Sequence, residues 1–214
     1  MCDSRVNEKP YCIRFLFAMI IRMSRMETEA NRCPLGARVY GMKKHDASHL
    51  HYDLRLEWNR VLLSWVLPEG PSCQAGVIRK AIEMEDHRRE YLVFEGRHET
   101  GTIMLWDRGA WEPYPTSADV GENLRKGILR FKLHGEKLKG GWILTRASAA
   151  GSVWHPVWTL CKCDDAFAQS HTRKCILEEM PNSISTGRTM QEIVQDWNRP
   201  KDRHRLQMKL FDEA

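Results

Sequence analysis

Apolar and polar positions alternate strictly from residue 51 onward. His51, Asp53, Arg55 and Glu57 fall on one side, and Tyr52, Leu54 and Leu56 on the other. A strand sends successive side chains to opposite faces, so the pattern predicts a half-buried strand over 51–58 with its leucines in a core. A short strand over 39–44 precedes it and leads into His45. The polar pair Asn59-Arg60 separates it from a β-rich run at 61–67, which predicts a hairpin. The PEGPS stretch at 68–72 reads as a loop. Residues 80–85 mix apolar and charged positions and end at Asp86 and His87. Short apolar runs follow at 91–94, 103–106, 128–133, 141–145 and 157–161, with turn-like segments at 107–109 and 134–136. Many short strands at close spacing predict a mainly β protein: a compact closed or nearly closed β-barrel with a few short flanking helices.

The texture changes beyond residue 165. Residues 166–188 are polar and irregular, and a small helix is predicted over 189–198. Thr189 and Glu192 have the spacing of a capping box, with Met190, Ile193, Val194 and Trp197 at helical spacing behind them. Three parts follow: an N-terminal extension over 1–36, a barrel over 37–165 and a C-terminal tail over 166–214. Residues 11–23 are apolar but carry Arg14 and Arg22, and the run is too short for a membrane span. Seven cysteines without a repeating pattern argue against a disulfide framework and for a reducing cytoplasm. Cys161, Cys163, His171 and Cys175 do not have the paired spacing of common zinc sites. A net charge of +5 is compatible with a nucleic-acid partner without demanding one. Trp106 and Trp111, two of eight tryptophans, read as barrel packing.

The densest chemistry lies between residues 45 and 57. His45, His51 and Asp53 are the N and O donors that a divalent transition metal accepts. Arg55, one strand step further, can pair two oxygens of a phosphate. The same spacing also fits a surface strand with a polar outer face.

Several blocks occur in a fixed order: HDASHLHYDLRLE at 45–57, SWVLPEGPS at 64–72, EDHRREY at 85–91, FEG at 94–96, WDRGAWEP at 106–113 and GEKLKGGWILTR at 135–146. Together they resemble the 3′-phosphoesterase module of DNA ligase D. TGRTMQEI at 186–193 resembles the linker that follows this module. The resemblance implies a barrel with a crescent-shaped active surface and a manganese-dependent enzyme, other divalent transition metals being alternatives. Such an enzyme removes a terminal ribonucleoside and then a 3′-phosphate from primer-template or DNA 3′ ends. The resemblance also implies His45, His51 and Asp53 as metal ligands, with Arg55, His87, Tyr91 and Arg79 on the phosphate side. A ligase, a polymerase or a Ku-type end-joining protein is the implied partner class.

Three departures stand out. Glu69 replaces the family's usual lysine, the loop at 97–102 is short, and nothing before Val39 matches the family's N-terminal arginine, aspartate and glutamate. An anion in place of a cation beside a phosphate is expected to weaken binding. The alternative is therefore a catalytically weakened barrel that binds DNA ends or a ligase or polymerase partner.

Overall fold

The computed structural model describes residues 38–147 and 155–197, so the readings of residues 1–36 and 201–214 lie outside the described residues. Its strands are β1 (Arg38–Asp46), β2 (Leu50–Trp58), β3 (Val61–Leu67), β4 (Ile78–Arg88), β5 (Gly96–His98), β6 (Gly101–Pro113), β7 (Ile128–Gly135), β8 (Lys139–Arg146) and β9 (Val157–Lys162). The hydrogen-bonded order is β1-β2-β3-β4-β9-β8-β7-β6-β5, and a further pairing of β1 with β6 closes eight of them into a barrel. Neighbouring strands are antiparallel throughout. Short helices α1 (Val120–Lys126), α2 (Ile176–Glu179) and α3 (Met190–Trp197) flank it, with a 3-10 turn at Arg89–Leu92.

Tyr40, Met42, Leu54, Leu56, Trp65, Phe131, Trp142 and Trp158 fill the interior. Side chains of this size contribute about 1.5–3 kcal/mol each on burial. Trp106 and Trp111 are buried as well, and their indole N–H groups donate to the carbonyls of Met180 (2.7 Å) and Glu57 (3.0 Å). The β2–β3 turn is made by Asn59 and Arg60 at φ 49° and 68°, the left-handed pair that a two-residue hairpin requires. On α3, Glu192 accepts from the Thr189 amide at 2.8 Å and its own amide donates to the Thr189 hydroxyl at 3.3 Å, the capping box read from the sequence.

The structure corrects several element boundaries. β1 runs on through Asp46, so His45 lies within a strand. Residues 80–85 belong to the longer strand β4, which carries His87. Residues 107–109 are no turn but the middle of β6, where Asp107 is fully buried. Its carboxylate accepts from the Tyr40 hydroxyl at 2.6 Å and from the amides of Lys137 and Leu138 at 2.9 and 2.8 Å. A polar residue paired this fully sits in a core at little cost. Residues 91–94 form no strand; they belong to the turn and segment that fold over the outside of the barrel. A Cβ at Gly41 would stand 2.6 Å from Leu92 Cδ1, so the glycine gives the Leu92 side chain room against β1.

Candidate metal and phosphate site

Register builds the site. Gly41 pairs with Arg55, Lys43 with Asp53 and His45 with His51 across β1 and β2, all on the outer face. Directly opposed residues of an antiparallel pair stand about 4.5–5.5 Å apart. The two imidazoles accordingly meet with ring centroids 4.7 Å apart. Asp53 lies two residues on from His51, and its carboxylate is 3.6 Å from His51 Nε2. One donor atom from each of His45, His51 and Asp53 lies within 4.8 Å of the others, the sole such metal-competent group among the described residues. The cysteines at 161, 163 and 175 form no comparable group with His171.

Two details orient the donors. His51 Nδ1 lies 2.9 Å from the His49 carbonyl and donates to it, which turns Nε2 toward Asp53. His49 thus contributes through its backbone. Burial lowers the pKa of His45, with Asp53 opposing the shift and His51 adding to it, which favours the neutral imidazole that a metal needs. Its Nε2 lies 3.3 Å from Thr100 Oγ1, in the short β5–β6 hairpin. The donor set therefore fits a divalent transition ion.

The phosphate side is built on the same face. Arg55 is only 8% exposed, and its Nη2 lies 3.5 Å from Asp53 Oδ2. Its buried Nε and Nη1 have no hydrogen-bond partner. Buried donors are rarely left unpaired, so a fork held this way is prepared for an anion. His87 joins from β4, its Nδ1 2.8 Å from the Glu85 carbonyl and 3.1 Å from Ser64 Oγ. Nδ1 therefore donates to the Glu85 carbonyl, leaving Nε2 free. Burial and then the Arg55 charge lower the His87 pKa, so the free protein holds it neutral. Tyr91 stands on the 3-10 turn, half-exposed, with its ring 6.1 Å from the His87 ring.

Arg79 stands apart. It pairs with Leu160 on β9, a core residue, so its side chain is on the barrel's inner face and away from the Arg55 face. There it forms an ion pair with Glu69.

Residues 43–146 match the family described as the DNA ligase D 3′-phosphoesterase domain. The chain is 43% identical over 156 residues to the multifunctional non-homologous end joining protein LigD of Pseudomonas aeruginosa, covering 71% of this chain and 18% of that protein. It is 32% identical over 118 residues to the LigD of Mycobacterium tuberculosis, covering 53% of this chain and 15% of the relative. It is 32% identical over 123 residues to that of Mycolicibacterium smegmatis, with 53% and 16% covered. The chain carries a DNA ligase D 3′-phosphoesterase domain. It spans under one-fifth of the length of these three relatives.

Within this phosphoesterase domain, Glu69 has a partner of its own. Its charge meets Arg79, on the inner face, while Arg55 and His87 share the outer one. Exposed pairs are worth about 0–1 kcal/mol. Glu69→Gln is accordingly expected to change stability by less than about 1 kcal/mol and turnover by less than about threefold. Urea unfolding and initial rates check both, and a large gain in rate would restore the phosphate-repelling view of Glu69.

Sequence reasoning missed Lys43. It opposes Asp53, is 1% exposed, and donates from Nζ to the Phe94 carbonyl at 3.0 Å. Burial and then Arg55 lower its pKa to about 7. An unfolded lysine titrates near 10.4. Between these values the unfolded chain binds the extra proton, so this residue's contribution to stability falls as pH drops from about 10 to 7. Lys43→Met is expected to flatten that dependence. Thermal melts at pH 7 and pH 9.5 check the sign.

Proposed function

We propose that the domain is a metal-dependent phosphoesterase working on nucleic-acid 3′ ends in repair by end joining. The observation that carries this is the buried Arg55 fork, with two unpaired donors, on one face with three convergent metal donors. The family match supports the reaction class, and the names of the relatives support the end-joining setting. In this reading His45, His51 and Asp53 hold manganese, though another divalent transition ion suits the same donors. The ion supplies charge withdrawal from phosphorus and a water of lowered pKa.

The chain's own groups do the rest. Arg55 offers its unpaired Nε and Nη1 donors to phosphate oxygens and steadies charge as it develops. His87 offers Nε2 to the leaving oxygen. The phosphate's negative charge raises the His87 pKa again, so substrate binding arms it as a proton donor. Tyr91 keeps the His87 ring in place or contacts phosphate. The sequential loss of a ribonucleoside and a phosphate, and partnership with a ligase, polymerase or Ku-type protein, belong to this reading. Free cysteines at 73, 161, 163 and 175 suit a reducing compartment such as the cytoplasm. No helix among the described residues is long and apolar enough to cross a membrane.

The test is a 5′-labelled primer on a template, ending in one ribonucleotide or in a 3′-phosphate, incubated with manganese. The expected products are loss of the nucleoside and then of the phosphate. Tight binding of the primer end without any product would replace this reading with that of a non-catalytic end-binding barrel.

A further inference from the structure

The wall of the barrel opposite the metal cluster holds a second groove. In the ring of eight strands β2 lies across from β8 and β3 from β7. A groove of about 690 Å³ runs over the outside of β7 and β8, lined among others by Tyr114, Arg130, Lys132, Lys139 and Phe167. Arg130, Lys132 and His134 occupy alternate positions of β7, opposite Ile143, Gly141 and Lys139 of β8. Cations on alternate strand residues stand about 7 Å apart, a spacing of the order of that between phosphates in an extended single strand. His134 is engaged by Glu112 at 3.3 Å. Arg130, Lys132 and Lys139 form no ion pair among the described residues, and Lys132 rests 4.6 Å over the Tyr114 ring.

Both aromatics are about half exposed: Tyr114 at 52% and Phe167 at 55%. Phe167 is held there. The Asp165 carboxylate accepts from the Phe167 amide at 2.9 Å, from Gly141 at 2.6 Å and from Lys162 Nζ at 2.6 Å. A Cβ at Gly140 would stand 2.8 Å from the Phe167 ring, so the glycine floor lets the ring lie down on β8. Asp164 and Asp165 also line the groove, the latter paired with Lys162, and the aromatic faces beside three cations without ion pairs suit unpaired bases and their phosphates. A duplex offers no free base faces to them.

We propose that this groove binds single-stranded nucleic acid, independently of the phosphoesterase site on the other wall. The probe is a fluorescein-labelled twelve-nucleotide oligothymidylate, read by fluorescence anisotropy with the full chain. Wild-type protein is expected to bind it better than a duplex of equal length, with affinity falling as salt rises. Phe167→Ala should weaken binding about tenfold. Combined R130E and K132E should weaken it further and flatten the salt dependence, whereas His51→Ala should leave it within about twofold. Phe167, Arg130 and Lys132 are at the surface of the groove, so folding is spared. The proposal is overturned if wild-type protein ignores the oligonucleotide, as a groove for a protein partner would. It is equally overturned if the groove variants bind like wild type, or if His51→Ala alone abolishes binding. A silent primer assay would sink the proposed activity and leave this binding result standing.

Discussion

Asp53→Ala is expected to lower metal-dependent turnover by on the order of a thousandfold and to destabilise the fold as well. Groups that merely orient a ligand are worth about 10–100-fold, and Asp53 is placed as a ligand itself. It also faces two cations: Lys43 in register across β1 and Arg55 at 3.5 Å. Both are more than nine-tenths buried, so removing their shared anion leaves them uncompensated. Breaking a buried pair in this way costs about 3–5 kcal/mol. His51→Ala provides the contrast. His51 is 21% exposed at its side chain, and its proton is held by a backbone carbonyl. It should lose turnover to a similar degree with little change in melting temperature. Manganese titration by calorimetry should show weak or no binding in both variants. If Asp53→Ala retained activity within about threefold, the three-donor cluster would not be the metal site.

Much of this site was legible because strand alternation translates directly into shared faces. His51, Asp53 and Arg55 sit at alternate residues, so a single strand assignment places them together. The antiparallel register then adds His45 from β1. What alternation could not convey was the second layer. The outer face of a sheet is ordinarily wet, and the polar side of β2 reads as a solvent face. Here the turn carrying Leu92 and the segment through Phe94 cover part of it at Gly41 and Lys43, the register partners of Arg55 and Asp53, and both of these are buried. Of residues 91–94, Leu92 is buried by that cover, while Tyr91 and Val93 are exposed, so the apolar run mimics a strand.

Lys43 escaped notice for a related reason. A lysine on an outer strand face is normally solvated, and nothing local records that Phe94 will close over it. Arg79 is placed on the other face from His87. Its spacing from His87 suggested a partner in phosphate binding, but the even interval placed no constraint on face once β3 and β4 shift register between Leu62 and Ser64. The α1 helix left readable marks: Asp119 caps the Glu122 amide at 2.9 Å, and Gly127 closes the helix at φ 75°. These signals lie between runs of strand and were outweighed by them.

Arg55→Met is expected to remove phosphate recognition while making the free protein more stable. Burial holds the Arg55 pKa below its ordinary value, with Asp53 opposing the shift. Two of its donors are buried without partners. A buried group left in this condition costs about 1–3 kcal/mol, and methionine fills similar space without it. Catalysis should fall on the order of a hundredfold to a thousandfold, the range for one lost donor to a developing oxyanion. Arg55→Lys should not rescue it, because an ammonium cannot reproduce the planar guanidinium's several fixed donors. Binding of inorganic phosphate separates this from general damage. A ligand that binds only the folded state stabilises it by about 2.7 kcal/mol at a hundred times its dissociation constant. Phosphate should therefore raise the melting temperature of the manganese-loaded wild type and do so far less for Arg55→Met, which starts from the higher value. Equal phosphate shifts in the two proteins would mean that the anion is held elsewhere, and that the unpaired fork of Arg55 serves the fold rather than the substrate.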